Sequence, residues 1–110
     1  MWMAWLMTTF DYIIVGAGSA GCVLADKLSA NGRHSVLLIE AGPSDRRFWV
    51  QTPIGYGATY TDPKVNWRFY SEAEAGLGNR KMYMPRGKVL GGSSSINALV
   101  YHRGQSSDYD

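Results

Sequence analysis

The stretch Phe10-Asp11-Tyr12-Ile13-Ile14-Val15-Gly16-Ala17-Gly18-Ser19-Ala20-Gly21 decides the reading of this chain. Phe10 to Val15 is a β-branched and aromatic run that stops at Gly16, the pattern of a strand buried on both faces. From Ser19 to Ala30 the period changes. Ala20, Val23, Leu24 and Leu28 recur at helical spacing, while Asp26, Lys27 and Ser29 turn away from them. A helix with that apolar stripe against the core is expected. Asn31-Gly32 ends it, because both residues tolerate a left-handed conformation. Val36 to Ile39 reads as a second buried strand. Strand, helix and strand within about thirty residues make a right-handed βαβ unit with parallel strands.

The glycine string is weak evidence by spelling alone, since the chain holds 13 glycines in 110 residues. Its position gives it meaning: it leaves a strand and opens a helix. Gly16 allows the tight turn, Gly18 lets a pyrophosphate approach the backbone, and Gly21 lets the helix pack close to the strand. The helix N-terminus offers free N–H groups and a positive dipole end to phosphates. Glu40 closes the second strand about twenty residues on, where a carboxylate accepts ribose hydroxyls and repels a 2′-phosphate. A dinucleotide site follows, with NADP disfavoured and with FAD and NAD both still open. Cys22, just past the last glycine, reads as a small packing residue.

Composition narrows the rest. Apolar residues make up 45% and charged residues 18%, a globular balance that excludes disordered and fibrous classes. The length allows one domain at most, with a modest core. A net charge of +2 with scattered basic residues argues against nucleic acid as a partner. One cysteine excludes an intrachain disulfide, and no His or Cys spacing points to a metal. Residues 1–9 are expected to be a disordered leader. Met1 to Met7 is apolar but lacks a basic start and a cleavage site, and it is too short to span a bilayer. Met7 is the expected natural start; the competing reading is an interfacial anchor through Trp2 and Trp5. With no targeting signal in view, a cytoplasmic location is the default, with peripheral contact at the inner membrane left open.

Beyond Glu40 the pattern loosens. Ala41 to Asp45 is turn chemistry, and residues 46 to 64 show no clear period. Trp67 to Tyr70 and Arg80 to Met84 read as short extended segments around a loop from Glu72 to Asn79. A second constellation follows: Pro85-Arg86-Gly87-Lys88-Val89-Leu90-Gly91-Gly92-Ser93-Ser94-Ser95-Ile96-Asn97. Its glycines and serines give open backbone donors, and Arg86 and Lys88 carry charge that offsets phosphate. Val89, Leu90, Ile96, Ala98, Leu99 and Val100 are too apolar for a solvated linker. Ser93 or Ser94 is expected to cap a helix from about Ser95 to His102.

Together these stretches resemble the glucose–methanol–choline (GMC) oxidoreductases, especially their choline-dehydrogenase-like alcohol dehydrogenases. The match runs through Asp11 to Ala25, Leu37 to Gly42, Asn66-Trp67 and Pro85 to Asn97. It continues at Tyr101, Arg103-Gly104 and Asp108-Tyr109-Asp110, so that it covers nearly the whole chain from Phe10. The string Gly87 to Asn97 is similar to a signature of that family and turns the reading from NAD to FAD.

The resemblance implies an α/β, partial Rossmann-like FAD-binding domain with an incomplete sheet over residues 10–110. The substrate domain and C-terminal half would lie beyond it. It implies that Gly16, Gly18, Ser19, Ala20 and Gly21 hold the pyrophosphate, and that Glu40 and Ala41 hold the adenosine end. Arg86, Gly87, Val89, Gly91, Gly92 and Ser93 would run along the cofactor, with Asn97 and Ala98 near the flavin ring. Trp67 is a looser match, with a core aromatic as the even alternative. Some members attach FAD through a histidine at the place of Ile96, so FAD is expected to be non-covalent here.

Members oxidise small alcohols by proton removal and hydride transfer to the flavin, using late histidines. His34 and His102 are not expected to serve as that base, so no catalytic residue is assigned. The alternatives are a catalytically inactive piece, a part of an FAD-containing hydroxynitrile lyase and, more distantly, an NAD dehydrogenase. A marginal, aggregation-prone fold is expected from strands left partly exposed.

Overall fold

The computed structural model describes residues 9–109. Residues 1–8 of the expected leader, its start at Met7 and its anchor through Trp2 and Trp5 fall outside the described residues, as does Asp110. The described part opens with β1 (Tyr12–Val15), α1 (Ser19–Ser29) and β2 (Val36–Ile39), close to the bounds expected from the sequence. β1 and β2 pair in parallel, with Tyr12 opposite Val36, Ile13 opposite Leu37, Ile14 opposite Leu38 and Val15 opposite Ile39. At the start of the pair the Asp11 carboxylate accepts from the Ser35 N–H at 2.7 Å and the Ser35 hydroxyl at 2.8 Å. Those bonds hold the Asp11 carboxyl below the usual carboxylate range, with the nearby His34 adding a smaller effect.

Side chains alternate across the pair, so one helix covers one face. α1 lies over Ile14: a Cβ on Gly21 would stand 3.3 Å from its Cγ2. The other face is open, with Ile13 62%, Val15 83% and Ile39 45% exposed. The expectation of strands buried on both faces is therefore corrected, and their expected partial exposure holds. The expected helical stripe is corrected as well. Val23 and Leu24 point to solvent, and Ala20 is exposed. Gly21 is buried, and Cys22, Ala25 and Leu28 are partly buried. Contact with the strand demands small residues here, because a Cβ on Gly21 would sit only 2.0 Å from the Gly16 carbonyl oxygen.

The aperiodic stretch after β2 holds α2 (Phe48–Gln51), a 3-10 turn at Pro53–Gly55 and α3 (Tyr56–Thr59). Each is too short to show a period. β3 (Phe69–Tyr70) and β4 (Tyr83–Met84) fall within the two expected extended segments, and the structure pairs them as an antiparallel ladder. The core lies beneath the second constellation rather than in the βαβ unit. Val65 and Val89 are fully buried and Ile96 is 8% exposed, with Val50 packed against them.

The helix expected from Ser95 to His102 is absent. Gly92–Ser95 is a 3-10 turn entered through Gly91 at φ +90°, and Leu99 takes φ +59°. Local side chains outcompete the helical ladder: Ser94 Oγ donates to the Gly91 carbonyl, Ser95 Oγ to the Leu90 carbonyl, and Asn97 Oδ1 accepts from the Leu99 N–H.

Candidate functional site: a cleft between two glycine loops

The two glycine constellations meet at the C-terminal ends of β1 and β2. The turn after β1 places Gly16 at φ +94°, and α1 begins at Ser19. The N–H groups of its first turn have no carbonyl one turn earlier within the helix. The second loop is fastened across this turn by backbone bonds. Gly91 N–H donates to the Ala17 carbonyl at 2.7 Å, and Leu90 N–H donates to the Pro43 carbonyl at 3.0 Å. The Ser19 and Ser94 hydroxyls share a hydrogen bond at 3.1 Å. Gly92 makes the closest approach: with φ +61°, it would carry a Cβ 2.9 Å from the Gly18 Cα.

Between the loops lies a cleft of about 460 Å³. Val15, Gly16 and Gly18 form one wall, and Ile39, Glu40 and Ala41 form its floor at the end of β2. Trp67, Gly87, Gly92 and Ser93 complete the lining. Space beside Gly18 is open, since a Cβ there would meet nothing within 4 Å. Trp67 stacks on Phe69 with ring centroids 5.9 Å apart, and Lys88 Nζ stands 4.7 Å from its ring centroid.

Glu40 is held from both sides. Oε2 accepts from the Ala17 N–H at 2.9 Å, and Oε1 accepts from the Gly42 N–H at 2.9 Å. A carboxylate has about four acceptor positions, so these bonds fix the group while leaving acceptors for a hydroxyl-bearing ligand. Gly87 N–H donates to Ser93 Oγ at 3.0 Å and ties the ends of the second loop together.

Of the residues singled out in the sequence, Gly16, Gly18, Glu40, Ala41, Trp67, Gly87, Gly92 and Ser93 come together in this cleft. Ser19 and Ala20 stand exposed in the first turn of α1, and Gly21 is buried against the strand. Val89 is in the core, and Gly91 spends its N–H on Ala17. Arg86 is exposed, with Nη1 donating to the Pro85 carbonyl. Asn97 instead lines a separate cavity with Trp49, Pro53 and Tyr56, and Ala98 is exposed. Ile96 is buried with Val65 and Val89. Cys22 donates its S–H to the Ala17 carbonyl at 3.3 Å, as a packing residue would.

His34 stands edge-on to Tyr12, at the end of β1 away from the cleft, and His102 is exposed. Sequence reasoning missed Val15 and Ile39 as lining residues of the cleft, Ser94 as the partner of Ser19, and the burial of Asn66 beside Trp67. The strand–turn–strand spacing held the signal for the first two. Among the described residues, no group of three or more His, Cys, Asp or Glu side chains gathers to hold a metal. No helix among them is long and apolar enough to cross a membrane.

Comparison with known proteins bears on the family and the fold. The family model described as GMC oxidoreductase matches residues 10–110. The chain is 58% identical over 103 residues to oxygen-dependent choline dehydrogenase of Photobacterium profundum, covering 94% of the chain and 18% of that relative. The crystal structure of pyridoxine 4-oxidase from Mesorbium loti superposes with a TM-score of 0.80 at 39% identity, over 92% of the chain and 20% of the oxidase. An FAD-dependent oxidoreductase from Chaetomium thermophilum superposes with a TM-score of 0.69 at 37% identity, over 92% of the chain and 17% of that structure. The chain thus spans about a fifth of the length of these proteins. A βαβ turn, a second glycine loop folded onto it and a match running from Phe10 onward place this chain in the GMC oxidoreductase family, over its N-terminal region.

Proposed function

We propose that this chain binds FAD, non-covalently, as the N-terminal part of a flavin-dependent oxidoreductase acting on the CH–OH group of a small alcohol. The observation that carries the reading is the Glu40 carboxylate, fixed by Ala17 and Gly42 N–H groups in a cleft that is also lined by the open backbone at Gly18. That geometry suits an adenosine diphosphate half: hydroxyl acceptors at one end and helix N-terminal donors at the other. Glu40 and Ala41 hold the ribose. Gly16, Gly18, Ser19, Ala20 and Gly21 present backbone and helix dipole to the pyrophosphate. Gly87, Gly92 and Ser93 guide the extended cofactor, and Trp67 shields one side of it.

When bound, FAD supplies a hydride acceptor. This chain's part is to bind and orient it; the base that removes the alcohol proton is assigned elsewhere in the complete protein. Ile96 carries no nucleophile and is packed in the core, which supports non-covalent attachment. The name of the Photobacterium relative supports an alcohol as substrate, and a cytoplasmic site of action is the working assignment.

Competition tests the binding mode. ADP is expected to displace FAD from the chain, and FMN, which lacks the adenosine half, is expected to leave it bound. Displacement by FMN with no effect of ADP would reverse the assignment of the cleft.

A further inference from the structure

The Trp67 and Gly87 wall of the cleft depends on one side chain that does not itself line it. Asn66 is 1% exposed and uses its whole amide. Oδ1 accepts from the Arg68 N–H at 2.9 Å and from the Arg86 N–H at 3.0 Å. Nδ2 donates to the Tyr60 carbonyl at 2.8 Å and to the Thr59 carbonyl at 3.4 Å. The two accepted bonds bracket the wall: Trp67 lies between Asn66 and Arg68, and Gly87 follows Arg86. Backbone bridging reinforces the join, with Trp67 N–H donating to the Arg86 carbonyl at 2.9 Å and Asn66 pairing with Gly87.

Arg68 holds a left-handed φ of +54°, a strained conformation for a non-glycine residue that the bond from its N–H to Asn66 helps to hold. An aliphatic residue at position 66 would leave two backbone donors and two carbonyls without these partners, so packing alone does not explain an asparagine here.

We propose that Asn66 is a positioning residue for the cofactor cleft: its carboxamide oxygen sets the placement of Trp67 and Gly87, and its amide nitrogen ties that wall to α3. The part that concerns flavin rests on the FAD reading above; the part that concerns the wall stands without it.

The test uses the full chain in three variants. Asn66→Ala removes the oxygen. Asn66→Asp, at pH 5, keeps an oxygen acceptor in either protonation state. Val65→Ala trims a neighbouring core side chain and leaves the amide network in place. Amide hydrogen exchange is read at Arg68 and Arg86 relative to β1 and β2, and FAD affinity is read by flavin fluorescence.

In Asn66→Ala the two wall amides are expected to exchange about tenfold faster relative to the strands, with FAD affinity down about tenfold. Asn66→Asp is expected to restore slow exchange, and Val65→Ala to lower stability without singling out those amides. Unchanged exchange at Arg68 and Arg86 in Asn66→Ala, or the same pattern in Val65→Ala, overturns the proposal. A wild-type chain that binds no FAD removes the flavin reading alone, because the exchange arm still decides the role of Asn66. Altered exchange with unaltered FAD affinity refutes the coupling of the wall to the cofactor.

Discussion

Replacing Gly21 by alanine puts the packing of α1 on β1 to a quantitative test. The added methyl would stand 2.0 Å from the Gly16 carbonyl oxygen and 3.1 Å from its carbon. Both are backbone atoms, so no side chain can swing aside. The helix has to retreat by roughly 1 Å to restore contact distance, and overpacking of this kind costs about 1–3 kcal/mol. Rigid backbone on both sides argues for about 3 kcal/mol. Alanine returns up to about 1 kcal/mol through helix propensity, leaving a net loss of about 2 kcal/mol. For a domain near this size that lowers Tm by roughly 10 °C.

The assay is urea and thermal unfolding followed by far-UV circular dichroism, with Gly57→Ala as the matched control. Gly57 lies in α3, and a Cβ there meets nothing within 4 Å. Its substitution is expected to be neutral or stabilising by up to about 1 kcal/mol. A Gly21→Ala protein as stable as the parent would refute the close approach of helix and strand.

Three further outcomes follow from the same geometry. Glu40→Ala removes the acceptor held by Ala17 and Gly42, and FAD affinity is expected to fall roughly 100-fold at about 1.5–3 kcal/mol for a hydrogen bond to a charged group; isothermal titration that finds parental affinity would exclude Glu40 as a cofactor contact. The Asp11 carboxyl is held below its ordinary value of 3.8, chiefly by the Ser35 N–H and then by its hydroxyl. Its stabilisation is therefore complete above about pH 4 and is lost as pH falls through the lowered folded value. Asp11→Asn should flatten that acid limb in urea midpoints taken between pH 6 and pH 2. Val15→Lys, at a side chain 83% exposed on the open sheet face, should reduce self-association in sedimentation velocity with little change in unfolding midpoint; undiminished association would place the sticky surface elsewhere.

The βαβ unit was legible because its signals are local: a β-branched run, a glycine turn, a helical period and an Asn-Gly stop. The faces of its elements were not. Hydrophobic spacing pointed Val23 and Leu24 inward, yet the strand accepts only a small-residue face centred on Gly21, and the larger side chains look outward. The second loop was legible as a special string and misread in shape. A run of serines followed by apolar residues suggested a capped helix. The same hydroxyls, with Asn97, bond nearby backbone and stabilise a 3-10 turn that ends at Ser95.

Eight of the expected cofactor residues converge on one cleft. Those that do not are mostly residues whose meaning came from a string of neighbours, such as Val89, which the fold uses as core. Asn66 was legible only as part of the Asn66-Trp67 match, and its role was not, since its four partners come from Thr59 and Tyr60 at the end of α3, from Arg68 and from Arg86.

The most direct measurement of the central claim is the visible absorption spectrum of the purified 110-residue chain after incubation with FAD and desalting. A retained flavin band near one equivalent per chain is expected, released on acid denaturation because attachment is non-covalent. A soluble, folded chain that emerges colourless would contradict it.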